Sequence, residues 1–279
     1  MKDLIFRVVR LFLIWFILLS TNISQTLNLQ SLPSDKSQIG LTFDKVFYSN
    51  GNNYSLLTGV FQLSTNIPVS DNLNVIANIP FINMSYENDY AFGTYEFSEN
   101  GFGNLFIGLQ TNSEFTDNSR TVLSFGIFLP TSEEKISNVG SQVNFYDFQK
   151  YIPNSLGLYF NFASQKIFLN GFNFGFEVGP NVIIPTEGEG RDTELFLHYG
   201  LNLGYQIVKL AINAEFLGTG IITEKADNFE DRLIHQLNFG AQWIGRIVTP
   251  KLYYGIYLKE EFRNVIDGVL GFDISISLN

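Results

Sequence analysis

The chain has 279 residues, of which 45 % are hydrophobic and only 16 % are charged, and it contains 28 Phe and 13 Tyr. Its formal net charge of −10 argues against binding to a nucleic-acid backbone, which requires a basic surface. With no cysteine and only two histidines, the chain has no disulfide, thiolate metal site or multi-histidine metal site. We therefore expect no nucleic-acid partner, no metal and no cofactor, and the composition is too apolar for an ordinary soluble protein.

The N-terminus has the three-part layout of a secretory signal peptide. Basic residues within the first ten positions precede an uninterrupted apolar run over residues 11–19, and small polar residues follow. The apolar run is too short for a comfortable membrane-spanning helix. We expect residues 1–25 to be a signal peptide, with an uncleaved anchor helix as the alternative, and residues 26–38 to be a periplasmic N-terminal tail.

Beyond this tail, apolar and polar residues alternate in segments of about ten residues, the length that a tilted strand needs to cross a bilayer. The segments lie near residues 39–48, 54–66, 73–83, 102–110, 119–129, 155–163, 171–183, 195–205, 209–222, 234–246, 251–262 and 268–278. Their number is even, as in bacterial single-chain barrels. The sequence thus predicts an all-β fold over residues 39–279: a transmembrane up-and-down antiparallel β-barrel of about 12 strands.

The composition of the two strand faces favours a barrel over a sandwich. In the segment GFNFGFEVG, for example, Phe174 and Phe176 alternate with Gly175 and Glu177. The outer face of a soluble sandwich carries many charges, whereas the polar face here is mostly Gly, Asn, Gln and Ser. Small neutral residues suit the wet interior of a barrel whose apolar face meets lipid. A secreted, soluble β-sandwich is the less favoured alternative.

The predicted connections and two prolines add detail to this barrel. If the first strand rises from the periplasm, the long connections at residues 85–101 and 131–151 face outward, as in outer-membrane barrels. Pro80 and Pro180 fall inside predicted strands, where a missing N–H interrupts the ladder of hydrogen bonds. We expect bulges or bends at both prolines.

Three short motifs resemble those of one group of outer-membrane proteins. They are IPF at residues 79–81, GFGN at residues 101–104 and LPTS at residues 129–132. The group is the transporter-like family named after the meta-cleavage pathway of phenol degradation, in which Asp is usual where this chain has Asn104. The resemblance implies an outer-membrane barrel that passes small, often hydrophobic molecules, and it carries over no catalytic residue.

Five ionisable residues on the predicted polar faces are candidates for lining the lumen. Glu177, His198 and Glu215 lie on three consecutive predicted strands at similar heights. They form either an acid–imidazole cluster that narrows the pore or binds a cation, or a structural hydrogen-bond network. Lys259 and Asp273, on the last two predicted strands, form an analogous interior pair. Buried charges need partners under either interpretation.

The longest predicted loop, residues 131–151, is rich in aromatic residues. It contains Phe145, Tyr146, Phe148 and Tyr151. These side chains either fold inward, as a constriction or an access site for apolar solutes, or cap the rim of the barrel.

The sequence therefore predicts a bacterial outer-membrane channel or transporter that passes small solutes, hydrophobic ones included, through its lumen. We expect no catalytic residue and no enzymatic activity, because neither histidine has a serine close to it in the strand pattern. The expected partners are outer-membrane lipid, a small solute of unknown identity and the barrel-assembly machinery. The alternative is a closed structural or surface-interaction barrel with no transport role.

Overall fold

The computed structural model describes residues 26–29, 36–49, 53–90, 93–116, 119–187, 192–223 and 229–278, and the predicted signal peptide lies outside them. Most of the described chain is β-strand. The strands are β1 (Gln38–Tyr48), β2 (Asn53–Tyr54), β3 (Gly59–Ser70), β4 (Leu73–Tyr90), β5 (Gly93–Phe102), β6 (Phe106–Thr116), β7 (Ser119–Phe128), β8 (Ser155–Ile167), β9 (Phe172–Pro185), β10 (Glu194–Ile207), β11 (Leu210–Ile221), β12 (Leu233–Trp243), β13 (Val248–Tyr257) and β14 (Ile266–Ser277).

In the part of the chain that the structure describes, four short helical segments lie between the strands. They are helix α1 (Glu134–Val143), helix α2 (Glu260–Arg263) and the 3-10 turns Phe148–Lys150 and Phe229–Arg232. Among the described residues, no helix is both long and apolar enough to span a membrane.

The strands form one antiparallel sheet that closes on itself. β1 pairs with β3 along one edge and with β14 along the other, so the first and last strands meet. β5 and β6 share a single place in the sheet, because β4 pairs with β6 near its beginning and with β5 further on. β2 is a two-residue addition that pairs with β4. The barrel has 12 strands, which confirms the predicted fold.

The two ends of the barrel differ in the length of their connections. At one end, which we call the turn end, short connections at residues 71–72, 168–171, 208–209 and 244–247 join the strands. The other end, the loop end, carries the longer connections, including residues 129–154 between β7 and β8. The predicted alternation of short and long connections is therefore confirmed.

The distribution of polar and apolar side chains is the reverse of that in a soluble protein. Along β9, Phe174 and Phe176 point outward and are 38 % and 36 % exposed, whereas Asn173 and Glu177 point inward and are 0 % and 3 % exposed. This pattern suits a barrel with a polar interior and a lipid-facing exterior. Other exposed apolar side chains around the barrel are Leu41, Leu63, Ile67, Leu109, Leu123, Phe125, Phe162, Leu201, Leu203, Ile212, Phe239, Leu252, Phe272 and Ile276.

Both prolines lie where the ladder between neighbouring strands is interrupted, as predicted. Opposite Pro80 the chain leaves the sheet between β5 and β6, and the N–H of Gly103 donates to the Pro80 carbonyl at 2.9 Å. Beside Pro180, the β8–β9 ladder passes from the pair at Tyr159 directly to the pair at Phe162. Because proline has no N–H to donate, the neighbouring strand gives up no hydrogen bond from that residue where it leaves the ladder.

The hairpin of β4 and β5 is longer than the sequence suggests. Residues 85–90 and 93–101, within the segment predicted as a loop, instead continue the two strands toward the loop end. Aromatic side chains stabilise the extension: Tyr86 stacks on Phe97 across the pair at 5.2 Å between ring centroids, and it also contacts Tyr54 of β2.

We expect Phe176→Arg to destabilise the barrel by about 2–4 kcal/mol, because it places a cation in the middle of the lipid-facing side of β9. Phe176→Leu, which keeps this surface apolar, is the control. Urea unfolding of protein refolded into liposomes measures both variants. Equal stability of the two would show that Phe176 does not face lipid.

Candidate functional site: the enclosed lumen

The connection between β7 and β8 folds into the lumen. Its helix α1 presents Ile136, Val139 and Val143 on one face, and this face packs against inward-pointing side chains that include Val46 and Ile82. The spacing of the three apolar residues is helical, so the segment EKISNVGSQV carried a helix signal. We predicted a loop here without a helix, because the surrounding sequence is dominated by strand periodicity.

The predicted loop aromatics lie in the lumen rather than at the rim. Tyr146, Phe148 and Tyr151 are buried, with 2–5 % of each residue exposed, and Phe145 is half-buried. Phe148 packs edge-on against Phe196 of β10 at 4.5 Å between ring centroids. The inward connection is thus held by packing against the barrel wall.

Glu177 and His198 belong to one buried hydrogen-bond network. The Tyr146 hydroxyl donates to one carboxylate oxygen of Glu177, and the Asn161 amide donates to the other at 3.3 Å. Asn161 also accepts from His198 Nε2 at 3.1 Å, and the Asn181 amide lies 3.0 Å from His198 Nδ1. A neutral imidazole with its proton on Nε2 satisfies both contacts. Burial raises the pKa of Tyr146 well above its usual value, so this hydroxyl keeps its proton.

Glu215, the third member of the predicted cluster, lies apart from this network. Its carboxylate accepts hydrogen bonds from the N–H groups of Leu27, Asn28 and Leu29, at 2.5, 2.8 and 3.4 Å. These residues, assigned from the sequence to a periplasmic tail, therefore lie inside the barrel. A carboxylate enclosed by the wall needs donors, and a short stretch of main chain supplies them.

The predicted pair of Lys259 and Asp273 is wrong. β13 ends at Tyr257, so Lys259 lies at the loop end, where its Nζ donates to the Asp231 carbonyl at 2.8 Å. Asp273 lies near the turn end opposite Lys251 in the β13–β14 ladder, with 3.9 Å between the ammonium and carboxylate. The alternation of apolar and polar residues runs past Tyr257, so the sequence predicts a longer strand and points to Lys259. The sequence analysis did not single out Lys251, although this residue lies two positions before the inward Tyr253 and therefore points inward as well.

Asn104 anchors the inward connection and is completely buried. Its amide nitrogen donates to the carbonyls of Gln149 and Ile152, at 2.9 and 2.7 Å. Its oxygen accepts from the N–H groups of Thr131 and Ser132, at 3.0 and 2.9 Å. The motifs GFGN and LPTS, noticed in the sequence only as marks of a family, therefore meet here. An aspartate carboxylate donates no hydrogen bond, so the amide fits this position better.

A cavity of about 230 Å³ lies in the lumen, bounded by the barrel wall, the inward connection and residues 27–29. Amide, hydroxyl and aromatic groups make up much of its lining. Among the described residues, its charged side chains are four carboxylates and two ammonium groups: Asp44, Asp147, Glu177, Asp273, Lys150 and Lys251. Acidic groups therefore outnumber basic ones around the cavity.

Other inward amides lie buried along the wall from β8 to β12. Gln165, Asn238 and Gln242 are at most 5 % exposed, and neither polar atom of these side chains has a hydrogen-bond partner among the described residues. Buried polar groups in folded proteins are nearly always hydrogen-bonded to protein or water. This part of the wall is therefore suited to water and polar solutes rather than to apolar packing.

No protein-family model and no curated protein matches the chain. The structure is similar to the COG4313 outer membrane channel from Pseudomonas putida F1, with a TM-score of 0.63 and 13 % identity over 91 % of this chain and 100 % of that one. It is also similar to the KdgM porin, with a TM-score of 0.52 and 7 % identity over 87 % of this chain and 99 % of that one. At such identities the similarity shows the fold, a barrel of the outer-membrane type.

We expect Asn104→Asp to lower the free energy of unfolding by about 1–3 kcal/mol, because two buried carbonyls lose their donor and face a carboxylate. The loosened connection should also be cut faster by trypsin after Lys150, which is buried in the unaltered protein. Asn100→Asp makes the same chemical change at an exposed position and is the control. If both variants were as stable and as protected as the parent, Asn104 would not anchor the connection.

Proposed function

We propose that this protein is a channel of the bacterial outer membrane that passes small polar solutes through its lumen. The observation that carries the proposal is a polar cavity enclosed by a barrel with an apolar exterior. The similarity of its fold to the COG4313 channel and the KdgM porin supports this function. The family resemblance implies hydrophobic solutes, but a lining of carboxylates and amides favours solutes that hydrogen-bond in return.

The charge of the cavity narrows the class of solute further. Its excess of carboxylates favours neutral and cationic solutes over anions, because like charges repel at short range. The KdgM porin has been solved in complex with oligogalacturonate, which is a polyanion. An acidic cavity does not suit such a molecule, so the solute proposed for this chain belongs to a different class.

The proposal also assigns a location and partners. The apolar outer face contacts outer-membrane lipid, residues 1–25 direct export, and the barrel-assembly machinery inserts the protein. The motifs GFGN and LPTS, which together hold the inward connection, support membership in the transporter-like family that the sequence resembles.

A closed barrel with no transport role is the second candidate. The inward connection and residues 26–29 both occupy the lumen, and they contact each other where Leu29 packs with Tyr146 and Leu217. This contact favours a filled interior. On this alternative, the loop end carries the function by binding a partner at the cell surface.

Liposome swelling with a small neutral sugar separates the two candidates. We expect liposomes that contain the purified protein to swell, and Tyr146→Ala to speed the swelling, because Tyr146 lines the cavity. The control Tyr254→Ala removes the same side chain from the exposed outer face and should leave the rate unchanged. No swelling by correctly folded parent and Tyr146→Ala barrels would favour the closed barrel.

A further inference from the structure

Residues 26–29 are bound to the lumen wall mainly through their main chain. Three consecutive N–H groups converge on the Glu215 carboxylate, in the manner of a backbone anion nest. The Lys251 ammonium donates to the carbonyls of Leu27, at 2.7 Å, and Thr26, at 3.5 Å. The Thr26 hydroxyl donates to the Leu29 carbonyl at 2.6 Å and closes the turn. The wall thus supplies an acceptor for N–H groups and a donor for carbonyls.

Two glycines provide space for the apolar side chains of this segment. Leu27 lies over Gly240 of β12 and Leu29 lies over Gly200 of β10, and a Cβ atom on either glycine would overlap with the leucine. Both leucine residues are buried, at 3 % and 5 % exposure. The wall therefore accommodates two apolar side chains spaced two residues apart.

We propose that Glu215, Lys251, Gly200 and Gly240 form a peptide-binding site in the lumen, and that residues 26–29 are its resident occupant. The main-chain contacts would be made equally by any peptide. The glycines leave room for two side chains at alternate positions, and an apolar one fits where Leu29 packs with Leu217 and Tyr146. The ligand class is thus a short peptide of the pattern x-apolar-x-apolar. The proposed site lies in the path of the solute, so it rests on the proposed channel function. It adds short peptides to the solutes that the lumen binds.

The resident segment competes with any free peptide. It is joined to β1 by the eight residues 30–37, and such a short tether gives an effective concentration of roughly millimolar order. Binding of free peptide is therefore best measured after the segment is displaced. Leu27→Asp with Leu29→Asp should displace it, because two more carboxylates would be buried beside Glu215.

The test is fluorescence polarisation of a labelled acetyl-Thr-Leu-Asn-Leu-amide peptide with the intact protein in detergent micelles. We expect the double variant to bind the peptide saturably and not to bind an acetyl-Thr-Asp-Asn-Asp-amide control.

In the background of the double variant, Glu215→Gln should weaken peptide binding by about tenfold or more, because the acceptor of three hydrogen bonds loses its charge. Gly200→Val should abolish binding. Gly175→Val, at an inward glycine where a Cβ meets only ordinary contacts, is the matched control.

A second measurement uses the unaltered protein, so the proposal does not depend on the folding of the variants. The amides of Leu27, Asn28 and Leu29 should be protected from hydrogen exchange, and millimolar unlabelled peptide should speed their exchange by displacing the segment. No saturable binding by a folded double variant, no effect of Glu215→Gln, or exchange unaltered by peptide would overturn the site. Peptide binding without liposome swelling would instead contradict only the channel function, and swelling without peptide binding only the site.

Discussion

The ladder between β1 and β14 is the interaction on which the rest of the structure depends. It pairs the first strand with the last along the full length of β1, from Gln38 to Tyr48. Without it the sheet would have two open edges, and unpaired N–H and C=O groups are not tolerated in hydrocarbon. Closure also divides the side chains of every strand into an enclosed set and an outward set. The lumen, its polar lining and the apolar exterior all follow from this division.

Enclosed acidic groups must find hydrogen-bond donors, and the chain supplies them from its own elements. Asp44 accepts from the Tyr253 hydroxyl across the sheet, Glu177 accepts from Tyr146 of the inward connection, and Glu215 accepts from three N–H groups of residues 27–29. In the last two cases the partner is not part of the barrel wall. The need to satisfy buried carboxylates, together with the packing of α1 and the hydrogen bonds of Asn104, thus explains why two segments outside the sheet lie in the lumen.

The strands, and which of their side chains point into the lumen, were predictable because the alternation of polar and apolar residues is a local property of the sequence. A period of two along GFNFGFEVG decides which side of β9 is polar, whatever the rest of the chain does. The partner of Glu215 was not predictable, since it lies far away in the sequence and no pattern links the two. The error at Lys259 arose at a strand end, where α2 follows β13 although apolar and polar residues still alternate in the sequence. Asn104 was noticed as a departure from a motif, but its four hydrogen bonds depend on the folded connection.

The central claim is that the enclosed face is wet and the exposed face meets lipid. The absence of cysteine from the sequence allows single cysteines to be introduced as clean reporters. Ser64→Cys places a thiol in the lining of the cavity, and Leu63→Cys places one on the adjacent outward position. In liposomes, we predict that a membrane-impermeant cationic thiol reagent modifies Ser64→Cys and spares Leu63→Cys. Equal modification of both, or an unreactive Ser64→Cys in a folded barrel, would contradict a water-filled lumen inside a lipid-facing barrel.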